Sequence, residues 1–153
     1  MWVKIWFQSQ NFSITKDYLY SYIKGSYCYV AGWGTTSSGG SLSAVLQSVK
    51  VDIFSHKYCE ANSNYGMIFD ETSEFCAGKM SGGIDSCQGD SGGPLVCVDE
   101  NNHAILYGIV SWGYGCAFDG YPGIYAKVSA VVDWIYATTD GANVTTTQSS
   151  SAS

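Results

Sequence analysis

A chain of 153 residues has room for one ordinary domain. With 46% hydrophobic and only 13% charged residues it is globular in composition, and 18 glycines suit a turn-rich all-β fold. Seven basic residues, all lysines, stand against thirteen acids for a net charge of −6, which argues against a nucleic acid or an anionic membrane as partner. No apolar run approaches the roughly 18 residues of a membrane-spanning helix.

In chain order, residues 1–24 show neither strand nor helical periodicity and form an unassigned N-terminal segment. Met1–Phe7 is followed at once by Gln8-Ser9-Gln10-Asn11, so it lacks the apolar core and small-residue cleavage site of an export signal. From Cys28 the chain reads as β. Val49, Val51 and Ile53 alternate with Lys50 and Asp52, the pattern of a strand with one wet face. Leu95–Val98 and Ala104–Tyr107 flank the polar run 99–103, which predicts a hairpin. Ser129 is the expected N-cap of a short helix whose apolar stripe is Val131, Val132, Trp134 and Ile135. Residues 139–153 are rich in Ser and Thr and read as a disordered tail. Asn11 and Asn143 head glycosylation sequons, relevant only to a secreted chain.

Six cysteines in such a chain point to an oxidising compartment. No Cys-x-x-Cys pair or clustered Cys/His set is present, so no metal site is expected, and nothing in the sequence calls for a cofactor. Six cysteines allow many pairings, and their spacing does not choose among them.

The stretch from Asp85 to Pro94 (Asp-Ser-Cys-Gln-Gly-Asp-Ser-Gly-Gly-Pro) carries the chemistry. A nucleophilic serine needs a sharp turn that projects its hydroxyl into a cleft, with backbone N–H groups nearby to receive the oxyanion of acyl transfer. Ser91 is the candidate nucleophile. Gly89, without a Cβ, is free to turn its N–H toward the oxyanion beside the N–H of Ser91. Gly92, Gly93 and Pro94 let the chain leave the turn at angles other residues resist.

This loop resembles the active-site loop of the trypsin/chymotrypsin family. The likeness runs from about Gly25 to Tyr136 through Cys28–Gly34, Phe75–Gly78, Ile109–Cys116 and Pro122–Val128, all in the family's order. The resemblance implies the second six-stranded antiparallel Greek-key barrel of that fold over residues 25–138, with a short C-terminal helix and the first barrel absent from this sequence. It implies disulfides Cys28–Cys97, Cys59–Cys76 and Cys87–Cys116. Asp90 resembles the switch residue whose carboxylate pairs with a freshly cleaved N-terminal amine. Asp85 matches the floor of the specificity pocket, Gly113 and Gly123 its open walls, and Ser86 a hydroxyl placed for a lysine ammonium. Ser111, Trp112 and Gly113 resemble the segment that pairs with the substrate backbone. A carboxylate in a partly desolvated slot favours Lys or Arg before the scissile bond.

The resemblance then meets a gap. The hydroxyl of Ser91 is a poor nucleophile without a general base, and the family supplies its histidine and orienting carboxylate from the first barrel. His56 lacks the neighbours of the family's catalytic histidine, and His103 follows a polar turn. The expectation is therefore a fragment of a secreted trypsin-like serine endopeptidase, with polypeptide substrates and protein inhibitors as partners. Its rival is a non-catalytic protease homologue serving as a binding or regulatory module.

Overall fold

The chain's computed structural model describes residues 27–66, 68–99 and 102–139. The segment 1–24, the tail beyond Thr139 and both sequons lie outside the described residues. Six strands, β1 (Tyr27–Gly32), β2 (Gln47–Ile53), β3 (Glu74–Gly78), β4 (Pro94–Val98), β5 (Ala104–Trp112) and β6 (Gly123–Lys127), close into an antiparallel barrel in the order β1-β2-β3-β6-β5-β4. Closure pairs every strand on both sides, so no long unpaired edge is left to recruit another chain. Helix α1 (His56–Asn62) fills the β2–β3 connection and α2 (Val132–Thr139) follows the barrel.

The alternation in β2 has a direct physical outcome. Val51 is buried opposite Cys28, Val49 faces Val30 across the β1–β2 ladder, and Lys50 and Asp52 are exposed. The same inward set continues through Phe75, Ala77, Leu95, Cys97, Val110 and Tyr125, which make one core inside the barrel. A second cluster of Cys59, Tyr65, Phe69, Cys76 and Ile124 lies where α1 meets β3. The disulfides join Cys28 to Cys97 between β1 and β4, Cys59 to Cys76 between α1 and β3, and Cys87 to Cys116 between two loops. The predicted hairpin is present, with the N–H of Asp99 donating to the carbonyl of His103 and that of Asn102 to the carbonyl of Asp99.

Leu95 is fully buried at the centre of this core. Its replacement by alanine leaves a cavity that neighbouring strands, pinned by ladder bonds, cannot fill. Leu95→Ala is expected to lower the unfolding free energy by about 2–5 kcal/mol, measured by urea titration.

One expectation needs correction. Ser129 does not cap a helix. It sits inside a 3-10 turn (Val128–Ala130), and α2 begins only at Val132. Val128 and Val132 are buried on either side of this turn, which packs against β5. Trp134, expected on the apolar stripe, is 67% exposed.

One irregularity matters for the site. In the β5–β6 ladder Val110 faces Tyr125 and Trp112 faces Ile124, so Ser111 is left out of register as a bulge. A bulge bends its strand and re-aims the following side chain, and here that side chain is Trp112.

Candidate functional site

The loop from Asp85 to Gly93 follows β3 and re-enters the barrel at β4, pinned at its far end. Gly92 donates its N–H to the carbonyl of Val110 at 2.9 Å, and Val110 returns one to the carbonyl of Gly93 at 2.9 Å. Within the turn Asp90 N–H donates to Cys87 and Gly93 N–H to Asp90. Gly89 has φ of +93°, a conformation that L side chains resist, and a Cβ there would lie 2.6 Å from Leu42. Ser91 at the apex is exposed. The N–H groups of Gly89 and Ser91 have no acceptor among the described residues, which leaves both donors available to a ligand.

Asp90 points the other way, into the body of the loop. Its Oδ1 accepts the N–H of Gly34 at 2.8 Å and its Oδ2 that of Cys87 at 3.0 Å. The close approach depends on glycine, since a Cβ on Gly34 would stand 2.4 Å from the carboxyl carbon and one on Gly32 2.1 Å from Oδ1. Sequence reasoning missed this cradle, although the Gly32-Trp33-Gly34 spacing was visible. Asp90 also borders a cavity of about 310 Å³ lined by Gly32, Gly34 and Ile84 and reaching Asp85.

A second cavity, of about 180 Å³, brings together residues far apart in the chain. Asp85, Ser86, Ser91, Ser111, Trp112, Gly113 and Gly123 all line it. Asp85 is held by N–H groups from Ser86 at 2.8 Å to Oδ1 and from Ala117 at 3.1 Å to Oδ2. Burial nonetheless pushes its carboxyl up to about 6, against the opposing pull of those bonds. Ser86 Oγ accepts the hydroxyl of Tyr125 at 3.1 Å, so the cavity wall beside Asp85 is tied to the barrel core. The Cys87–Cys116 disulfide joins the loop carrying Asp85 to the loop after Gly113.

A glycine-shaped serine turn thus lies beside a cavity lined by a carboxylate. The family model described as Trypsin matches residues 11–135. The chain belongs to the trypsin family. The match begins ahead of Gly25, where the sequence resemblance sets in, and its first part lies outside the described residues. Among similar proteins, Trypsin-1 of Astacus astacus is 56% identical over 108 residues, covering 71% of this chain and 44% of that protein. Trypsin-1 of Salmo salar is 51% identical over 114 residues, covering 74% and 44%. Anionic trypsin of Canis lupus familiaris is 50% identical over 115 residues, covering 74% and 43%. This trypsin-family chain thus matches less than half the length of these curated relatives.

Neither histidine of this trypsin-family chain engages Ser91 in the structure. His56, the first residue of α1, meets the ring of Phe69 edge-on and lies 4.0 Å from Glu71. His103 sits on the β4–β5 hairpin with Nδ1 3.0 Å from Asp99 Oδ2. Among the described residues no cluster of His, Cys, Asp and Glu is placed to hold a metal, and no helix is long and apolar enough to cross a membrane.

Gly123 stands against the carboxylate of this cavity. It is buried, and a Cβ there would stand 2.4 Å from Asp85 Oδ1. Gly123→Ala is expected to push the Asp85 carboxylate aside and lower the unfolding free energy by about 1–3 kcal/mol. Urea titration of the variant beside the parent chain checks it.

Proposed function

We propose that this chain is the C-terminal barrel of a secreted trypsin-like serine endopeptidase, which cleaves polypeptides after Lys or Arg through an acyl-enzyme at Ser91. One observation carries the reading: the half-buried carboxylate of Asp85 and the hydroxyl of Ser91 share a single cavity. A lysine or arginine side chain entering between Gly113 and Gly123 meets Asp85, with Ser86 as a further partner for an ammonium. Ser111, Trp112 and Gly113 pair with the peptide backbone as an added strand. The Oγ of Ser91 then attacks the carbonyl carbon, the oxyanion rests on the N–H groups of Gly89 and Ser91, and the peptide C–N bond breaks. Asp90 steadies that loop from behind as the switch residue.

The proton of Ser91 must pass to a base and on to the leaving amine. In this reading the base and its orienting carboxylate come from a preceding barrel of a longer protein, and the present chain is a fragment. Three disulfides are consistent with an extracellular setting. A second reading, a non-catalytic homologue that binds polypeptides, is favoured by the placement of both histidines away from Ser91. Titration of the purified chain with benzamidine and with neutral benzamide tests the pocket. The amidine is expected to bind one-to-one and at least about tenfold more tightly, the worth of a single partly desolvated ion pair. Equal affinity of the two ligands overturns the Lys/Arg reading.

A further inference from the structure

Trp112 ends β5 immediately after the Ser111 bulge, and its indole reaches across β6 to β3, where it meets a carboxylate. Its Nε1–H donates to Glu74 Oε1 at 2.9 Å, in a half-buried setting. Glu74 is the first residue of β3, opposite Ala126 of β6. Its other oxygen, Oε2, accepts the N–H of Asp70 at 3.0 Å, so both carboxylate oxygens are committed and the side chain is fixed at each end. Asp70 in turn is braced by Thr72 and Ser73, whose hydroxyls donate to Oδ2 at 2.6 and 2.7 Å.

The indole is also held by an aromatic neighbour. Tyr65 meets Trp112 edge-on, with ring centroids 5.4 Å apart, and its hydroxyl oxygen accepts the N–H of Tyr114 at 3.1 Å. The segment from Trp112 to Tyr114 is therefore gripped by both a tyrosine and a carboxylate. Indole nitrogen donates only and a carboxylate only accepts, so the bond has one polarity. A hydrogen bond to a charged acceptor is stronger than a neutral one, and it selects one of the several rotamers otherwise open to a tryptophan following a bulge.

We propose that Glu74 is a positioning residue for this segment: through Nε1 of Trp112 it sets the attitude of the edge that pairs with a substrate's backbone upstream of the cleaved bond. The inference rests on the reading of Ser111–Gly113 as that edge. Glu74 touches no reacting atom, and its role is confined to extended peptides. Trp112 also lines the Asp85 cavity, so a ligand held there through Asp85 alone feels the change less than an extended peptide does.

The test uses the full chain, Glu74→Leu, Glu74→Gln and two ligands: benzamidine, which reaches only the pocket, and a tripeptide amide ending in arginine, which also needs the edge. Glu74→Leu is expected to weaken the tripeptide about tenfold and benzamidine by no more than about twofold, whereas Glu74→Gln, which keeps an acceptor oxygen, restores the tripeptide. Equal loss for both ligands, or none for either, overturns the proposal. In parallel the indole N–H resonance of Trp112, assigned by its absence in Trp112→Phe, is followed by hydrogen exchange. Protection retained in Glu74→Gln and lost in Glu74→Leu supports the clamp, and equal protection in all three overturns it. Should no form of the protein bind benzamidine, the pocket reading falls, while the exchange data still decide whether Glu74 holds Trp112.

Discussion

The purified 153-residue chain is expected to hydrolyse Lys and Arg amide substrates at about a millionth of the turnover of an intact protease of its family, or less. That magnitude is the cost measured in serine proteases that have lost one member of their triad. The structure supplies the reason to apply it here. His56 is packed against Phe69 and His103 is bonded to Asp99, so each histidine is engaged with groups other than Ser91. A small residual rate is allowed under the proposed function, in which the N–H groups of Gly89 and Ser91, without an acceptor among the described residues, receive the oxyanion. The measurement is a long-duration assay with a fluorogenic lysine amide, run beside Ser91→Ala as the blank. Ordinary turnover abolished by Ser91→Ala would overturn the expectation and turn the search for a base to His56 and His103.

The second large effect belongs to Asp85. Asp85→Ser removes the only carboxylate among the residues lining the 180 Å³ cavity and is expected to cost about a hundredfold in benzamidine affinity, the range for deleting one partner of a desolvated charge pair. The wild-type chain should show a matching pH dependence. An amidinium needs the carboxylate ionised, and burial has raised that carboxyl to about 6. Affinity should therefore be level above about pH 7 and fall about tenfold for each unit below 6. An aspartate at its ordinary value would hold the affinity level to about pH 4, so a flat profile between 6 and 4 would show that the pocket does not desolvate Asp85.

Stability should run the other way. A carboxyl raised on folding contributes stability that is fully present below its ordinary value of 3.8 and is lost as pH rises through about 6. Asp70 opposes this. Its bonds to Thr72 and Ser73 lower it to about 2, so its contribution is present above 3.8 and disappears as pH falls through 2. Ligand affinity and the Asp85 contribution to stability thus have opposite pH slopes between about 4 and 6, a signature of a carboxylate held in a desolvated slot.

Much of this was legible before any coordinates. The period-two pattern of Val49, Val51 and Ile53 specified an inward face because side chains alternate along any strand. The glycines of the serine loop marked a turn, and Gly89 and Gly92, with φ of +93° and +77°, take backbone angles that other residues resist. The start of α2 departs from its local signal because packing outweighs it. Ser129 has the chemistry of a cap, but the burial of Val128 and Val132 holds the backbone there in a tighter turn, and a local preference of about 1 kcal/mol yields to packing.

Sequence by itself determined the strand faces, the serine turn and the family to which the chain belongs, because these are written in local periodicity and in contiguous motifs. Tertiary structure alone decided three other things: that the Asp90 carboxylate is cradled by Gly34 N–H, that Asp85 and Ser91 open into one cavity, and that Glu74 reaches the indole of Trp112. The physical reason is common to all three. Each joins groups brought together only by closing the barrel or folding back its loops, and a carboxylate's desolvation or an indole's rotamer is set by neighbours in space, which no spacing along the chain records.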